Sequence, residues 1–407
     1  VALRSGRGSS TRSQAAASVE TLTAGFGPEN ATQHAGYIGV NKEKGNDGHL
    51  FFWMFEARNN PESAPLVLWL TGGPGCSSEL AVFYEQGPYR LGKDGSVTTN
   101  PHSWTEIANV LFVDQPVGTG FSYADDSAAY VKSEEGVATD MWEFLQTFMK
   151  QFPQYSKLDF FVTGESYAGH YVPAISSKIV HNNAKLGAGE VEIRLQGLAI
   201  GNGLVDPATQ YGQYVPYAQS KGLVTHKQAV SLNRTAHACQ KSIRAGHKGT
   251  ATLMECNSMM ERIMMDGGGF NTYDVRIKCA KPPLCYDFSP LDTLLAREDV
   301  RKALGVSPKS KWQSCNMKVH EELMSDWFTD METVIPPMLE AGVRVLVYSG
   351  QEDFICNWFG GRAWVDNMEW SGSAAYKSQS WSDWSVSTEV AGTFKEQGPL
   401  QFLGVSG

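Results

Sequence analysis

Short apolar runs recur along the chain and alternate with helical patterns. HLFFWMFEA and APLVLWLTGG come first, then NVLFVDQPVG, KLDFFVTGES and RLQGLAIGNG, and later VRVLVYSGQED. Each is short, rich in β-branched and aromatic residues and bounded by Gly, Pro or Asp, which predicts buried strands. Between them, EEGVATDMWEFLQTFMKQF carries apolar residues at roughly i, i+3, i+4 and i+7, which predicts an amphipathic helix. Strands alternating with helices imply a mostly parallel central sheet flanked by helices, with chemistry at the carboxyl ends of the strands. Residues 204–326 break the rhythm: they are polar and rich in Met and Cys, and predict an inserted helical or irregular cap. The sheet domain then spans 21–203 and 327–407. Residues 1–20, basic and rich in Ser and Ala, predict a disordered leader or pro-segment.

Composition narrows the partners. Hydrophobic residues make up 42% and charged residues 19% of 407, so most of the chain can fold around a core. A net charge of −9 provides no basic stripe for phosphates, so nucleic acid is not an expected partner. No apolar run reaches membrane-spanning length, and no membrane partner is expected. The seven cysteines include no CxxC pair, so neither a zinc site nor any other metal or cofactor is expected. Their odd number, with glycosylation acceptor triplets at Asn30 and Asn233, suggests a secretory route with three disulfides and one free thiol.

Two stretches carry candidate chemistry. FVTGESYAGHY turns a strand into a helix, with Ser166 flanked two positions away by Gly164 and Ala168. Small residues there let strand and helix approach, so that a serine hydroxyl can stand exposed on a tight elbow. A plain βα turn has the same outline. WLTGGPGCSS also follows a strand, and its glycines can aim N–H groups into a site. Gly73 and Tyr167, the residue after the serine, would then form an oxyanion hole. No GK[ST] follows, which argues against a phosphate loop.

WLTGGPGCSS, NPHSWTEIANVLFVDQPVGTGFSY, GESYAGHYVPA, IGNGLVDP and VLVYSGQEDFICNWFGGRAW, in this order, resemble the signature blocks of the serine carboxypeptidases. The resemblance covers roughly residues 30–403. It implies an α/β-hydrolase fold with a cap, and removal of C-terminal residues from peptides at acidic pH through an acyl-enzyme on Ser166. Asp353 resembles the acid of the catalytic triad, and Cys356 the free thiol beside a side-chain pocket. The implied disulfides are Cys76–Cys315, Cys239–Cys256 and Cys279–Cys285. Thr71 stands where the family usually has an Asn that, beside Gly72, holds the substrate carboxylate. Leu80, Tyr84, Tyr286, Trp327 and Ile355 fall where the family lines its pockets, which favours apolar residues near the scissile bond. Glu85 and Glu165 resemble the carboxylate-recognition pair. Two adjacent carboxyls should share a proton, so KM for free-carboxylate peptides would climb towards neutral pH.

The nine histidines all lie at or before His320, so none can follow Asp353 as the triad base. The family places a Gly-His turn just after the strand that GPLQFLGVSG resembles, so the record is expected to stop a few residues before the base. A catalytically inactive binding homologue is the alternative, and an acyltransferase or esterase using the same serine is a second. His170 should point inward as a core residue; His34, His49, His102 and His320 are expected to be surface or structural. The methionines of 254–265 are expected to pack in the core or cap. Peptide or protein C-termini are the implied substrates, a homodimer is left open, and the implied location is vacuolar, lysosomal or extracellular.

Overall fold

The computed structural model describes residues 20–41, 47–282 and 284–407. Apart from Glu20, the expected leader lies outside the described residues. In chain order the strands are β1 (Glu20–Ala24), β2 (Gln33–Val40), β3 (Gly48–Phe55), β4 (Leu66–Leu70), β5 (Tyr89–Leu91), β6 (Val97–Thr99), β7 (Asn109–Asp114) and β8 (Tyr123–Ala124). They continue as β9 (Phe160–Glu165), β10 (Leu195–Gly201), β11 (Phe270–Asn271), β12 (Asp274–Lys278), β13 (Arg344–Gly350), β14 (Ser382–Val386), β15 (Glu389–Gln397) and β16 (Leu400–Val405). One 12-stranded sheet has the order β1-β2-β3-β7-β4-β9-β10-β13-β16-β15-β14, with β8 beside β3.

Parallel pairing holds for the six central strands, from β7 to β16. The flanks are antiparallel, because short links fold each strand directly back on its neighbour. Two-residue turns join β14 to β15 and β15 to β16, and Ser387 (φ 56°) and Gly398 (φ 54°) supply the left-handed backbone these turns need. Alternation divides each central strand between two cores. Leu50, Phe52 and Met54 face one core with Leu66, Leu68, Leu111 and Val113, under the helices Glu134–Gln151 and Ala168–Asn183. Phe51, Trp53 and Phe55 face the other with Val67, Trp69, Val110 and Phe112. Burying each such side chain contributes about 1.5–3 kcal/mol before chain entropy is subtracted.

The stretch 204–326 packs in two places. Helices Pro207–Tyr211, Tyr214–Ser220, His226–Arg244 and Thr250–Asp266 surround a third core that includes Tyr217, Cys239, Cys256 and Phe354. Leu291, Leu294, Leu295 and Trp312 instead lie on the sheet with Phe51 and Trp53. Met259 is buried in the third core with Met260 and Met264 against it, whereas Met254 and Met265 are exposed. Disulfides join Cys76 to Cys315, Cys239 to Cys256 and Cys279 to Cys285, and Cys356 is free. Among the described residues, no helix is long and apolar enough to cross a membrane.

One polar knot sits inside the apolar sheet. Glu79 and Asp114 are both fully buried, and their carboxyls hydrogen-bond to each other. Ser77 Oγ donates to Glu79, and the N–H groups of Ser78 (3.0 Å) and Phe121 (2.7 Å) donate to Asp114. Gly120 is required here, because a Cβ on it would meet Asp114 Oδ2 at 2.0 Å. Burial raises both pKa values, and for Glu79 the charge of Asp114 raises it further. A carboxyl held above its unfolded pKa stabilises the fold at acidic pH, and that contribution disappears as pH rises through the folded value. We predict that wild-type stability falls from acidic to alkaline pH more steeply than that of Glu79→Gln. Near the transition the difference should approach one proton, about 1.4 kcal/mol per pH unit. Parallel slopes in chemical denaturation across pH would show that the pair does not titrate on unfolding.

Candidate active site

Ser166 stands between β9 and the helix Ala168–Asn183 with φ 58°, a left-handed backbone rare outside glycine. Three bonds hold it there. Its N–H donates to Gly201 O at 3.1 Å, and its own carbonyl accepts from Gly169 (3.0 Å) and Leu204 (2.9 Å). The strand-to-helix crossing needs Gly164, where a Cβ would lie 2.5 Å from Leu70 O and 2.7 Å from the Ala168 Cβ.

The glycine loop after β4 lies against this elbow. A Cβ on Gly72 would fall 2.4 Å from Tyr167 N and 3.0 Å from the Ser166 Cβ. Gly73 has φ 110°. Among the described residues no backbone acceptor takes the N–H of Gly73 or of Tyr167. Thr71 is buried behind them, and its Oγ1 accepts the Trp69 indole N–H at 3.1 Å, which leaves the hydroxyl proton free to donate.

Asp353 is buried in the turn after β13. It accepts from the N–H of Ile355 (2.9 Å), the N–H of Cys356 (3.1 Å) and Asn202 Nδ2 (2.9 Å). Burial pushes its pKa up to about 7 despite these donors. The Cys356 thiol faces Ser166 and feels the charges of Asp353 and Glu165, so serine, acid, thiol and glutamate share one site. Burial, and then those charges, push the thiol pKa upward.

Glu85 and Glu165 hydrogen-bond to each other through their carboxyls and are half-buried. Burial raises both pKa values, and the Glu165 charge raises that of Glu85 further. Asn100 Nδ2 (3.3 Å) and Arg90 both hold the Glu85 carbonyl and so fix the pair from behind.

The expected wall residues separate into groups. Tyr84 contacts Phe288 at 5.5 Å between centroids, and Tyr286 bridges Phe288 (6.3 Å) and Tyr273 (5.8 Å). Tyr273 feels Asp353, Cys356 and Glu165, which ties this aromatic run to the serine. Trp327 stacks on Tyr167 at 5.3 Å and donates to Tyr211 OH at 3.1 Å. Ile355 is half-buried, with its carbonyl bonded by Tyr214 OH at 2.5 Å. Leu80 is buried and shares the sheet core with Phe83 and Trp69.

His170 is buried, bonds Leu204 O through Nδ1 at 2.7 Å and stacks on Tyr167 at 4.6 Å, and burial lowers its pKa to about 4. It is a packing residue. Sequence reasoning missed Asn202, Tyr273 and Phe288. An Asn-Gly pair straight after β10 was the available signal for Asn202, whose φ is 37°. The other two lie in the insertion, where no periodicity points inward. Among the described residues no group of three or more His, Cys, Asp or Glu could hold a metal.

A family model described as Serine carboxypeptidase matches residues 25–407. The chain is 45% identical to serine carboxypeptidase-like 49 of Arabidopsis thaliana over 377 residues, covering 91% of this chain and 72% of that protein. It is 44% identical to serine carboxypeptidase 3 of Oryza sativa subsp. japonica, covering 91% and 74%. Among solved structures, it resembles a prohormone-processing carboxypeptidase from Saccharomyces cerevisiae with a TM-score of 0.83 and 28% identity, covering 93% and 88%. The fold is that of the α/β-hydrolases, and the chain belongs to the serine carboxypeptidase family.

Proposed function

We propose that this chain binds peptide C-termini and that Ser166 attacks the last peptide bond, giving an acyl-enzyme that water then hydrolyses. The Glu85–Glu165 pair carries the reading. A serine on an elbow would serve any ester or amide, but an acid pair beginning one residue before it favours substrates ending in a carboxylate. Protonated, the pair donates to that carboxylate together with the Thr71 hydroxyl. Ionised, it repels it. Gly73 and Tyr167 N–H groups would hold the developing oxyanion, and Asp353 would orient the base. The walls formed by Tyr84, Phe288, Tyr286 and Trp327 suit apolar side chains on either side of the scissile bond.

The three disulfides fit passage through the secretory pathway. Of the two acceptor triplets, Asn30 lies exposed in the loop before β2, whereas Asn233 lies within the helix His226–Arg244. Glycopeptide mapping of chain secreted by a eukaryotic host should find Asn30 occupied. Complete absence of glycan there would remove it as a site.

Binding gives a test independent of turnover. Calorimetry with a blocked dipeptide should show Kd rising about tenfold from acidic to neutral pH, while its C-terminal amide shows no rise. Glu85→Gln combined with Glu165→Gln should flatten the curve for the free acid. Identical curves for wild type and the double variant would refute carboxylate recognition by this pair.

Turnover separates the roles further. A polypeptide restricted to these 407 residues has no histidine after Asp353, so its peptide hydrolysis should lie at least about 10³-fold below an ordinary kcat. Added imidazole should raise the rate in the wild type and not in Ser166→Ala. An equal response in both would exclude Ser166 as the nucleophile, and transfer to an added alcohol in place of hydrolysis would mark an acyltransferase.

A further inference from the structure

Three stretches of chain, the loop before β2, the loop after β3 and the segment that leaves β6, enclose a cleft of about 630 Å³. Pro28, Asn30, Arg58, Pro61, Thr99 and Pro101 line it, and no residue of the site around Ser166 does. Its polar floor is already paired. Arg58 donates to Glu29 Oε2 from Nε (3.0 Å) and Nη2 (2.7 Å), to Glu106 Oε1 (2.5 Å) and to Asn100 O (3.0 Å). Glu29 Oε1 accepts the N–H groups of Asn30 (2.9 Å) and Ala31 (3.2 Å). Tyr155 donates to Glu56 Oε1 at 2.6 Å, and among the described residues Glu56 Oε2 has no donor. Asn30 is exposed, and among the described residues no hydrogen bond holds its side-chain amide.

These pairings narrow the occupant. Three carboxylates, Glu29, Glu56 and Glu106, against the one guanidinium of Arg58 leave the lining two charges negative, which disfavours phosphate or another anion. Among the described residues no group of three or more His, Cys, Asp or Glu could hold a metal ion. What the cleft still offers is acceptor oxygen, as at Glu56, beside the rings of Pro28, Pro61 and Pro101. Neutral hydroxyl and amide donors on a ring with an apolar face match that surface, and these are the features of an acetamido sugar. Asn30 opens the triplet Asn-Ala-Thr, whose glycan begins with N-acetylglucosamine. Attachment joins the anomeric carbon to Asn30 Nδ2, with one amide proton lost and a lipid pyrophosphate leaving. So short a tether gives the sugar a millimolar or higher effective concentration, enough to fill a weak site. We propose, on the reading of Asn30 as a glycosylated residue, that this cleft is a carbohydrate site into which the first N-acetylglucosamine of the Asn30 glycan folds back, bridging the three stretches.

The test uses chain secreted by a eukaryotic host that makes high-mannose glycans, with occupancy of Asn30 measured by glycopeptide mapping. Endoglycosidase H trims each glycan to its first N-acetylglucosamine, so any remaining effect belongs to that sugar. Amide hydrogen exchange in 56–61 and 99–106 should be about tenfold slower in the trimmed chain than in Asn30→Gln, because an occupied site must empty before these loops open. Thr32→Ala, which keeps the asparagine and removes the acceptor triplet, should match Asn30→Gln. Thr99→Trp places bulk in the cleft: the sugar stays attached, and the protection of 56–61 should disappear. Amides of β9 and β10 serve as the reference, since a change in global stability would move them too, whereas a seated sugar leaves them alone. Should Thr99→Trp not fold, the comparison with Asn30→Gln decides. Equal exchange in 56–61 and 99–106 with and without the sugar shows a glycan extended into solvent and overturns the proposal. Protection that survives Thr99→Trp places the sugar elsewhere and overturns it as well. An unoccupied Asn30 is a different failure, seen in the mapping itself, and removes the glycosylation reading together with the site.

Discussion

Gly72 lacks a side chain because Tyr167 and Ser166 already fill the space where one would go. A Cβ there would lie 2.4 Å from a backbone nitrogen that cannot withdraw, since Tyr167 begins the helix that follows the elbow. β4 and β9 already pair up to Leu70 and Gly164, and the bare Gly72 lets the segments that follow them stay in contact, which sets the glycine loop beside Ser166. Backbone strain at Ser166 persists because Gly201, Gly169 and Leu204 bond it on both sides.

Two buried carboxyl pairs bracket the short helix Glu79–Tyr84 that follows the glycine loop. Glu79 meets Asp114 at its start, and Glu85, just past its end, meets Glu165. Each pair is stable when it shares a proton, so both favour acidic conditions by the same electrostatic rule. They differ in exposure. The first is sealed inside the sheet and can act only on stability. The second is half-buried beside the serine, and under the proposed function its charge state acts on a bound carboxylate.

The parallel core was legible in the sequence because its strands are buried on both faces and read as continuous apolar runs, as in LVLWL of β4. β2, QHAGYIGV, was not read, since glycines and a histidine interrupt its pattern although it packs fully against β3. β14 is mostly exposed along its length and offers little apolar signal at all. In the site, Ser166, Asp353 and the glutamates could be found because each sits in a distinctive block at a strand end. Asn202 holds Asp353 through side-chain geometry that no spacing encodes. The grip of Trp312–Asn316 on the glycine loop could not be found from local pattern, because the segments joined at Cys76–Cys315 lie 239 residues apart in sequence.

Residues 204–326 brace the turns around Ser166 from two sides. From one side, Trp312 and Ser314 bond Ser77, Asn316 bonds Gly75, and Cys315 is joined to Cys76. From another, Tyr214 and Tyr217 donate to the carbonyls of Ile355 (2.5 Å) and Gln351 (2.9 Å), and Thr272 O accepts the N–H groups of Phe354 (2.9 Å) and Ile355 (3.1 Å). Lys221 adds an ion pair to Glu352 at 2.7 Å. The turn that presents Asp353 is therefore fixed by side-chain and backbone groups of residues 204–326 as much as by β13. Loops at strand ends are otherwise the freest parts of an α/β sheet, and precise chemistry requires them to be rigid. Because the same segment also contributes Tyr273, Tyr286 and Phe288, a change in residues 204–326 that reshapes this aromatic run also moves the supports of Asp353 and of the glycine loop. Under the proposed function, specificity and rate are then mechanically coupled through one segment of chain.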